Sequence, residues 1–379
     1  MKRLVLGITS PGSGPLIKGQ AAYFKSLGYE VFLMAPEGEK ITSYCKEEGC
    51  THVPVQIVRP IQLLKDLRAF LQIARALRRI RPDVVNVGTP KMGLLGMLGA
   101  KFVGVKTRVY TCRGFRYEHE KGFKRKLLLS MEQLSAAFAQ KVVCISRSVQ
   151  ERGISDGVFS EKKAILIGKG SSNGVDLKFF DPQGVNVDEA LALKETLALK
   201  GKFVYGFVGR IMDRKGINEL YSAFVKVHEQ DKDAVLLIVG GVTNDQVSDK
   251  DLLQKFKEHP AIYWVGFQQN VPLYMSMLDV FVLPAWWEGF GNVLIQSAAM
   301  GIPVISTDGT GCRDAFSAGY NGLCVPVKNV PALGRAMQVY RHNETLKISH
   351  GKNGKEWAKN FPSETIWDGL HELYKSLGK

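Results

Sequence analysis

Short apolar runs alternate with amphipathic stretches along this chain, and midway the pattern breaks off and begins afresh. In the first half the candidate strands are Arg3–Ile8, Glu30–Met34, His52–Val55, Val84–Val87, Arg108–Tyr110, Val142–Ile145 and Ala164–Ile167. Helical spacings lie between them, most clearly at Leu63–Ile80, where Leu63, Leu67, Phe70, Leu71, Ala74 and Leu77 recur at i, i+3 and i+4. Pro82 forbids continuation of that helix, and Val84–Val87 then reads as a buried strand. Near-continuous apolar strands joined by crossover helices specify a parallel sheet covered on both faces.

Residues 168–202 open with Gly, Ser and Asn and read as a linker or long loop. A second series of strands follows, at Phe203–Val208, Val235–Gly240, Ile262–Val265, Val280–Leu283 and Val304–Ser306, with aromatic-rich helices from about Val330 onward. A chain of 379 residues suits two domains better than one core. The expected fold class is α/β, with two Rossmann-like doubly wound domains facing a cleft. Ligands of such sheets sit outside the carboxyl ends of the strands, at the point where strand order reverses. The loops after strands therefore hold the candidate chemistry.

Composition narrows the function classes. Six cysteines form no C-x-x-C pair and have no histidine at zinc spacing, so they read as buried or free thiols. The N-terminal MKRLVLGIT has too short an apolar run for a signal peptide and reads as the first strand, and no run of eighteen apolar residues exists to span a membrane. The net charge of +15 is lopsided: residues 1–170 hold 29 Lys and Arg against 13 Asp and Glu, and the rest balance at 22 against 23. A basic half suits an anionic partner. Nucleic acid is disfavoured, because the basic stretches alternate with Leu and Ile, not with the aromatics that stack on bases.

Three loops carry candidate sites. Gly206–Gly216 runs from a strand through Gly209, Arg210 and Lys215 toward a helix, and fixed cations near a helix N-terminus form a diphosphate cradle. Glu288-Gly289-Phe290-Gly291-Asn292-Val293 follows the strand Val280–Leu283 and leads into a helix, with Gln296 on a face that the same ligand can reach. Taken alone, Glu288 is equally a carboxylate complementing a helix dipole. Thr9–Pro15 holds Gly12 and Gly14, which open the turn for backbone approach, with Pro15 suited to a first helical position. Ile17 stands where the dinucleotide fingerprint needs glycine, which disfavours a nicotinamide oxidoreductase. The triplets Asp231-Lys232-Asp233 and Asp249-Lys250-Asp251 read as solvated charge and not as a metal site.

The stretches 209–216 (GRIMDRKG) and 288–306 (EGFGNVLIQSAAMGIPVIS) together resemble the family 4 retaining glycosyltransferases of the GT-B fold. Thr89–Gly96, Thr111–Gly114 and Gly168–Asp176 resemble the branch that builds bacterial capsule, exopolysaccharide and O-antigen. The resemblance implies an acceptor-binding domain at 1–175, to which a C-terminal helix at about 363–379 returns, and a nucleotide-sugar domain at 176–362. It implies that Arg210 and Lys215 hold the donor diphosphate, and that Glu288 contacts hydroxyls of the transferred sugar. Gly289, Phe290, Gly291, Asn292 and Val293 would hold the sugar and phosphates, together with donor contacts at Gly12, Gly14 and Gly209. Position 296 would bind the ribose, but the family's second glutamate is here Gln296, an amide that both accepts and donates. Arg113 stands where many members have a histidine beside a glycine, and His119 lies several residues on.

The family further implies a UDP-linked donor, an N-acetylhexosamine or related hexose, metal-independent transfer and no cofactor. The acceptor would be a polyprenyl-diphosphate-linked saccharide, with Lys91, Arg113 and Arg116 on its phosphates. Cations on Leu63–Ile80 and on Lys121–Leu129 would rest on an anionic membrane, placing the enzyme peripherally on the cytoplasmic face. A sugar-nucleotide epimerase or hydrolase on the same fold is the alternative.

Overall fold

The structure, a computed structural model, describes residues 1–58, 61–242 and 246–378. The chain divides into two compact units, one of Met1–Gly174 with Ser363–Lys379 and one of Val175–Pro362.

In the first unit seven strands form one parallel sheet: β1 (Lys2–Gly7), β2 (Tyr29–Ala35), β3 (Thr51–Pro54), β4 (Val84–Gly88), β5 (Thr107–Cys112), β6 (Lys141–Cys144) and β7 (Ala164–Leu166). Their order is β3-β2-β1-β4-β5-β6-β7, so the chain reverses its direction of travel between β1 and β4. All five residues of β4 are buried, as a strand covered on both faces requires. One layer of core is closed by the helix Ser363–Leu377, whose Ile366, Leu370, Leu373 and Tyr374 pack with Phe24 and Tyr29. Asn86 Nδ2 on β4 donates to Tyr374 Oη at 2.6 Å, which gives that buried pair its hydrogen bond.

On the other face the helix Leu63–Ile80 ends at Arg81, in left-handed conformation ahead of Pro82. Its buried stripe is Ala69, Ile73, Ala74, Leu77 and Ile80. Leu63, Leu64, Leu67 and Leu71 are exposed, so the apolar spacing read from the sequence runs past the core and out onto the surface.

The Gly-rich stretch after β7 is not a loose linker. Ser171, Ser172 and Asn173 are buried, and Asn173 Oδ1 accepts from Gln20 Nε2 and Trp367 Nε1, both at 2.8 Å. Further on, Asn186 caps the helix Val187–Thr196 by accepting from the amides of Asp188 and Glu189. That helix buries none of its residues, so it lacks the apolar stripe by which helices are read.

The second unit has six parallel strands: β8 (Phe203–Val208), β9 (Ala234–Val239), β10 (Ile262–Trp264), β11 (Val280–Leu283), β12 (Val304–Thr307) and β13 (Gly322–Val325). The order β10-β9-β8-β11-β12-β13 puts the reversal between β8 and β11. The edge strand β13 was not expected: it has only four residues, of which Leu323 is partly exposed and Cys324 exposed. In both units the paired strands are parallel with short loops at their carboxyl ends, which places the 209–216 and 288–291 loops side by side at the second reversal.

Glu132 lies buried inside the first unit, on the helix Gly122–Phe138, and accepts from Tyr110 Oη at 2.6 Å. Burial pushes its carboxyl up from 4.5 to about 7, against the pull of the Tyr110 bond and the Arg116 charge. The native state therefore binds a proton more tightly than the unfolded chain, and stability falls as pH rises through this range. Glu132→Gln should leave stability unchanged at pH 5 and raise it at pH 8 by on the order of 2 kcal/mol. Denaturant unfolding of both proteins at the two pH values checks this; a variant less stable at pH 8 would show that the carboxylate is stabilising.

Candidate active site

Strand β8 is buried along nearly its whole length, and the chain leaves it through Gly209. The end of β9 closes on this exit, because a Cβ on Gly240 would sit 1.9 Å from the Gly209 carbonyl oxygen, so position 240 has room only for glycine. The amides of Gly209 and Ile211 donate to the carbonyls of Val239 and Gly241, each at 2.9 Å, and this holds the backbone in place. Arg210 is exposed between them. Asp213–Lys215 then form a single 3-10 turn, ended by Gly216 at φ 70°, the cap of helix Ile217–Gln230. Asp213 accepts from the Ser248 amide at 3.0 Å and from Asn218 Nδ2 at 3.1 Å.

The neighbouring loop follows β11. A Cβ on Gly216 would fall 1.9 Å from the Pro284 carbonyl oxygen, and the Trp286 amide donates to the Arg214 carbonyl at 2.8 Å. These two approaches join the loops into one piece. They bring Glu288, only 9% exposed, against the Lys215 ammonium, with Arg214 Nη1 at 3.5 Å from its other oxygen. The Lys215 contact is an ion pair in which Glu288 Oε1 receives no aligned hydrogen bond. Burial by itself would raise the Glu288 carboxyl, but the Lys215 and Arg214 charges outweigh it and hold the group below its ordinary value. Glu288 is thus a buried carboxylate, and in its turn it helps burial push the nearby Cys312 thiol up to about 12.

Glu288 is fixed from behind as well: its amide donates to the Thr310 carbonyl at 2.8 Å, and a Cβ on Gly311 would lie 2.3 Å from the Glu288 carbonyl oxygen. Gly289, Phe290 and Gly291 lead into the helix Asn292–Ala299. Within that run the Gly291 amide already donates to Gly311 and the Asn292 amide to Phe290. Val293 lies in the first turn and Gln296 one turn in, both partly exposed. The structure thus brings together Gly209, Arg210, Lys215, Glu288 and the 289–296 segment. Arg214 and Trp287 were not singled out from the sequence. Their only signal was adjacency to Lys215 and Glu288.

The remaining candidates belong to the first unit. Gly12 and Gly14 sit in a 3-10 turn, Pro11–Leu16, which contains Pro15 in its interior; the first α-helix starts only at Gln20. A Cβ on Gly14 would meet nothing within 4 Å, so packing does not demand glycine there. Lys91 is buried and paired with Asp66 at 2.6 Å, which already neutralises its ammonium. Arg116 is exposed on the loop after β5. Arg113 is half-buried, its Nη1 donates to the Ser172 hydroxyl and carbonyl, and its buried Nε has no partner. Burial draws its guanidinium down to about 10, still a cation at neutral pH. It borders a narrow cavity at the carboxyl ends of β1, β4, β5 and β6, with Gly7, Asn86, Gly88 and Ser172.

The first aspartate of each acidic triplet is partly buried in an ion pair and not simply solvated, Asp231 with Arg341 and Asp249 with Lys255. Among the described residues no group of three or more His, Cys, Asp or Glu could hold a metal ion, and no helix is long and apolar enough to cross a membrane.

Two doubly wound units, the second with cations and a buried carboxylate at its reversal point, define a glycosyltransferase of the GT-B class. Family models agree: residues 12–166 match a glycosyl transferase 4-like domain and residues 189–357 match glycosyl transferases group 1. The capsular polysaccharide biosynthesis glycosyltransferase CapM of Staphylococcus aureus is 31% identical over 98% of this chain and 96% of its own. The N,N'-diacetylbacillosaminyl-diphospho-undecaprenol alpha-1,3-N-acetylgalactosaminyltransferase of Campylobacter jejuni is 24% identical, covering 96% of this chain and 95% of its own. Among solved structures, Anabaena HepE in complex with UDP and glucose superposes with a TM-score of 0.83 at 16% identity, over 99% of this chain and 100% of the other. The chain belongs to glycosyltransferase family 4, and it is an enzyme of group transfer. Transfer is therefore favoured over the epimerase or hydrolase alternative.

Because Gly216 is at once left-handed and in backbone contact, Gly216→Ala should separate the two loops and destabilise the protein by about 2 kcal/mol or more. Urea unfolding measures this. A change below about 0.5 kcal/mol, the range of a neutral surface substitution, would mean that the loops are not so joined.

Proposed function

We propose that this enzyme transfers an N-acetylhexosamine or related hexose from a UDP-sugar to a polyprenyl-diphosphate-linked saccharide, with retention, during synthesis of a bacterial capsule or O-antigen. The observation that carries the reading is the buried Glu288 carboxylate paired with Lys215 and Arg214 at the reversal point of the second sheet, with Arg210 exposed on the same loop as the two cations. An anionic diphosphate suits the cations, and a carboxylate accepts hydroxyl hydrogens of a hexose. The acceptor class draws support from the names of relatives: besides the Campylobacter enzyme, a 25% identical Escherichia coli protein is a UDP-Gal:alpha-D-GlcNAc-diphosphoundecaprenol alpha-1,3-galactosyltransferase.

In this mechanism the bond between the anomeric carbon and the β-phosphate oxygen breaks. An acceptor hydroxyl attacks on the same face, and its proton passes to the departing β-phosphate oxygen, releasing UDP. Negative charge grows on the diphosphate as the bond lengthens, and Arg210 and Lys215 stabilise it there. No side-chain nucleophile is needed, and charge neutralisation is assigned to these two residues and not to a metal. Glu288 orients the hexose, the loop from Gly289 to Val293 lies along sugar and phosphates, and Gln296 bonds the ribose. The second unit takes the donor. The first unit takes the acceptor.

Of the three cations assigned to the acceptor phosphates, Arg113 fits best, because its charge has no carboxylate partner among its recorded contacts and Lys91 is already paired. The helix Leu63–Ile80 adds a membrane-facing surface: Leu63, Leu64 and Leu67 are exposed beside Lys65 and Arg68, and Phe102 of the adjoining helix is 66% exposed. Apolar residues rimmed by cations suit peripheral attachment to an anionic lipid surface at the cytoplasmic face.

UDP and UDP-N-acetylhexosamines at 100 times Kd should stabilise the protein by about 2.7 kcal/mol. Arg210→Ala with Lys215→Ala should remove that protection while the unliganded protein stays folded. Protection that survives the double change would defeat the donor site. Arg113→Ala should keep UDP protection and lose at least tenfold in turnover of a polyprenyl-diphosphate acceptor. Leu63→Glu with Leu64→Glu should cut co-sedimentation with phosphatidylglycerol vesicles several-fold without altering UDP binding. Unchanged sedimentation would move the membrane contact elsewhere.

A further inference from the structure

Lys215 faces a conflict in this site. Its ammonium closes on Glu288, yet the donor-site reading asks the same group to neutralise a diphosphate. Glu288 is buried, and a buried carboxylate stripped of its counter-charge is strongly disfavoured. If Lys215 were the sole partner of Glu288, each movement toward the ligand would uncover that charge.

Arg214 resolves the conflict by its placement. Its guanidinium stands on the other oxygen of Glu288, at 3.5 Å, and is only 23% exposed. It is anchored independently of the carboxylate: Cζ lies 4.7 Å from the centroid of the Trp287 ring, and Nη1 donates to the Trp287 carbonyl at 3.3 Å. A guanidinium stacks on an indole while keeping donors in its plane, which an ammonium cannot do. The Trp286 amide bound to the Arg214 carbonyl fixes the backbone at the other end. Arg214 is thus held by the residue next to the carboxylate it serves. Lys215, by contrast, has one recorded ion pair, and that is to Glu288.

We propose that Arg214 is a positioning residue that retains Glu288 as a buried carboxylate, so that Lys215 is released from it to bind the diphosphate of a nucleotide-sugar. This rests on the donor-site reading and extends it with a residue that need not touch the ligand. In the unliganded site Lys215 and Arg214 share the carboxylate. When a diphosphate arrives, Lys215 turns to it, and Arg214, stacked on Trp287, stays. Cys312 also borders Glu288, but as a thiol raised by burial it adds no compensating charge.

The test is a double-mutant cycle read by calorimetric titration with UDP, and with GDP in parallel. Arg214→Ala should weaken nucleotide binding at least tenfold, because Lys215 is then bound to Glu288. In the Glu288→Gln background the same change should cost less than twofold, since no buried charge remains to be served. Arg214→Lys should recover only part of the affinity, having the charge without the stacking on Trp287. Circular dichroism melting identifies any variant that fails to fold, and Arg214→Lys then serves as the informative single change. Equal losses in both backgrounds would mean that Arg214 binds the ligand itself, and no loss in either would mean that it is idle; both overturn the proposal. If Lys215→Ala binds UDP and GDP as well as the parent does, or the parent binds neither, the donor-site reading has failed first.

Discussion

Backbone-to-backbone approach between the loops after β8 and β11 is the constraint on which the site depends. Gly216 lies against the Pro284 carbonyl, and Arg214 receives the Trp286 amide. Neither contact involves a charged side chain, yet together they decide where three charges end up. Side chains as long as Lys and Arg lose much rotamer entropy when fixed, and exposed ion pairs of this kind contribute little. Here the backbone is fixed first and Trp287 restrains the guanidinium, so Lys215, Arg214 and Glu288 meet at little further ordering cost. A buried ion cluster of this sort is weak evidence for stability and better understood as a device for a ligand.

The position of this cluster follows from topology. Both sheets reverse between their first strand and a later one, β1 with β4 and β8 with β11, and ligands of such sheets sit at that reversal, outside the carboxyl ends of the strands. In the second unit the loops there carry cations and a buried carboxylate, and in the first a cavity is lined by Arg113, Asn86, Thr111 and Ser172. The same architecture therefore offers two polar sites of different character. One holds a fixed carboxylate and the other an arginine lacking a carboxylate partner among its recorded contacts.

Much of this was legible in the sequence, because strands buried on both faces leave dense apolar runs. Val84–Gly88 and Phe203–Val208 could be read almost to the residue. The edge strand Gly322–Val325 could not, since one face meets solvent and Cys324 points outward. Helix Val187–Thr196 escaped because it buries nothing, and the Gly-Ser-Asn run at 168–174 was legible as a loop but not as one whose polar groups are satisfied inside the fold by Gln20, Trp367 and Ile145. Which leucines on Leu63–Ile80 are exposed could not be read, as periodicity reports an apolar stripe but not what covers it. In the site, Arg210, Lys215 and Glu288 stood out as charges in glycine-bearing loops after strands. Pairing could not be read in this way: Lys91 with Asp66 spans 25 residues, and Arg214 with Glu288 spans 74.

The substitution at position 296 acquires a meaning from the same charges. Segments 209–216 and 288–296 carry three cations, Arg210, Arg214 and Lys215, against two carboxylates, Asp213 and Glu288. A glutamate at 296, as the family pattern has it, would cancel the remaining positive charge one turn inside the helix that begins at Asn292. With Gln296 the loops keep a net charge of +1. In the proposed donor site a dianionic diphosphate would gain from that excess, while the ribose would meet one acceptor oxygen in place of two, and an amide donor. The proposed site is thereby weighted toward phosphate and away from sugar hydroxyls, a balance that the Lys215–Glu288–Arg214 cluster makes possible by leaving one cation to spare.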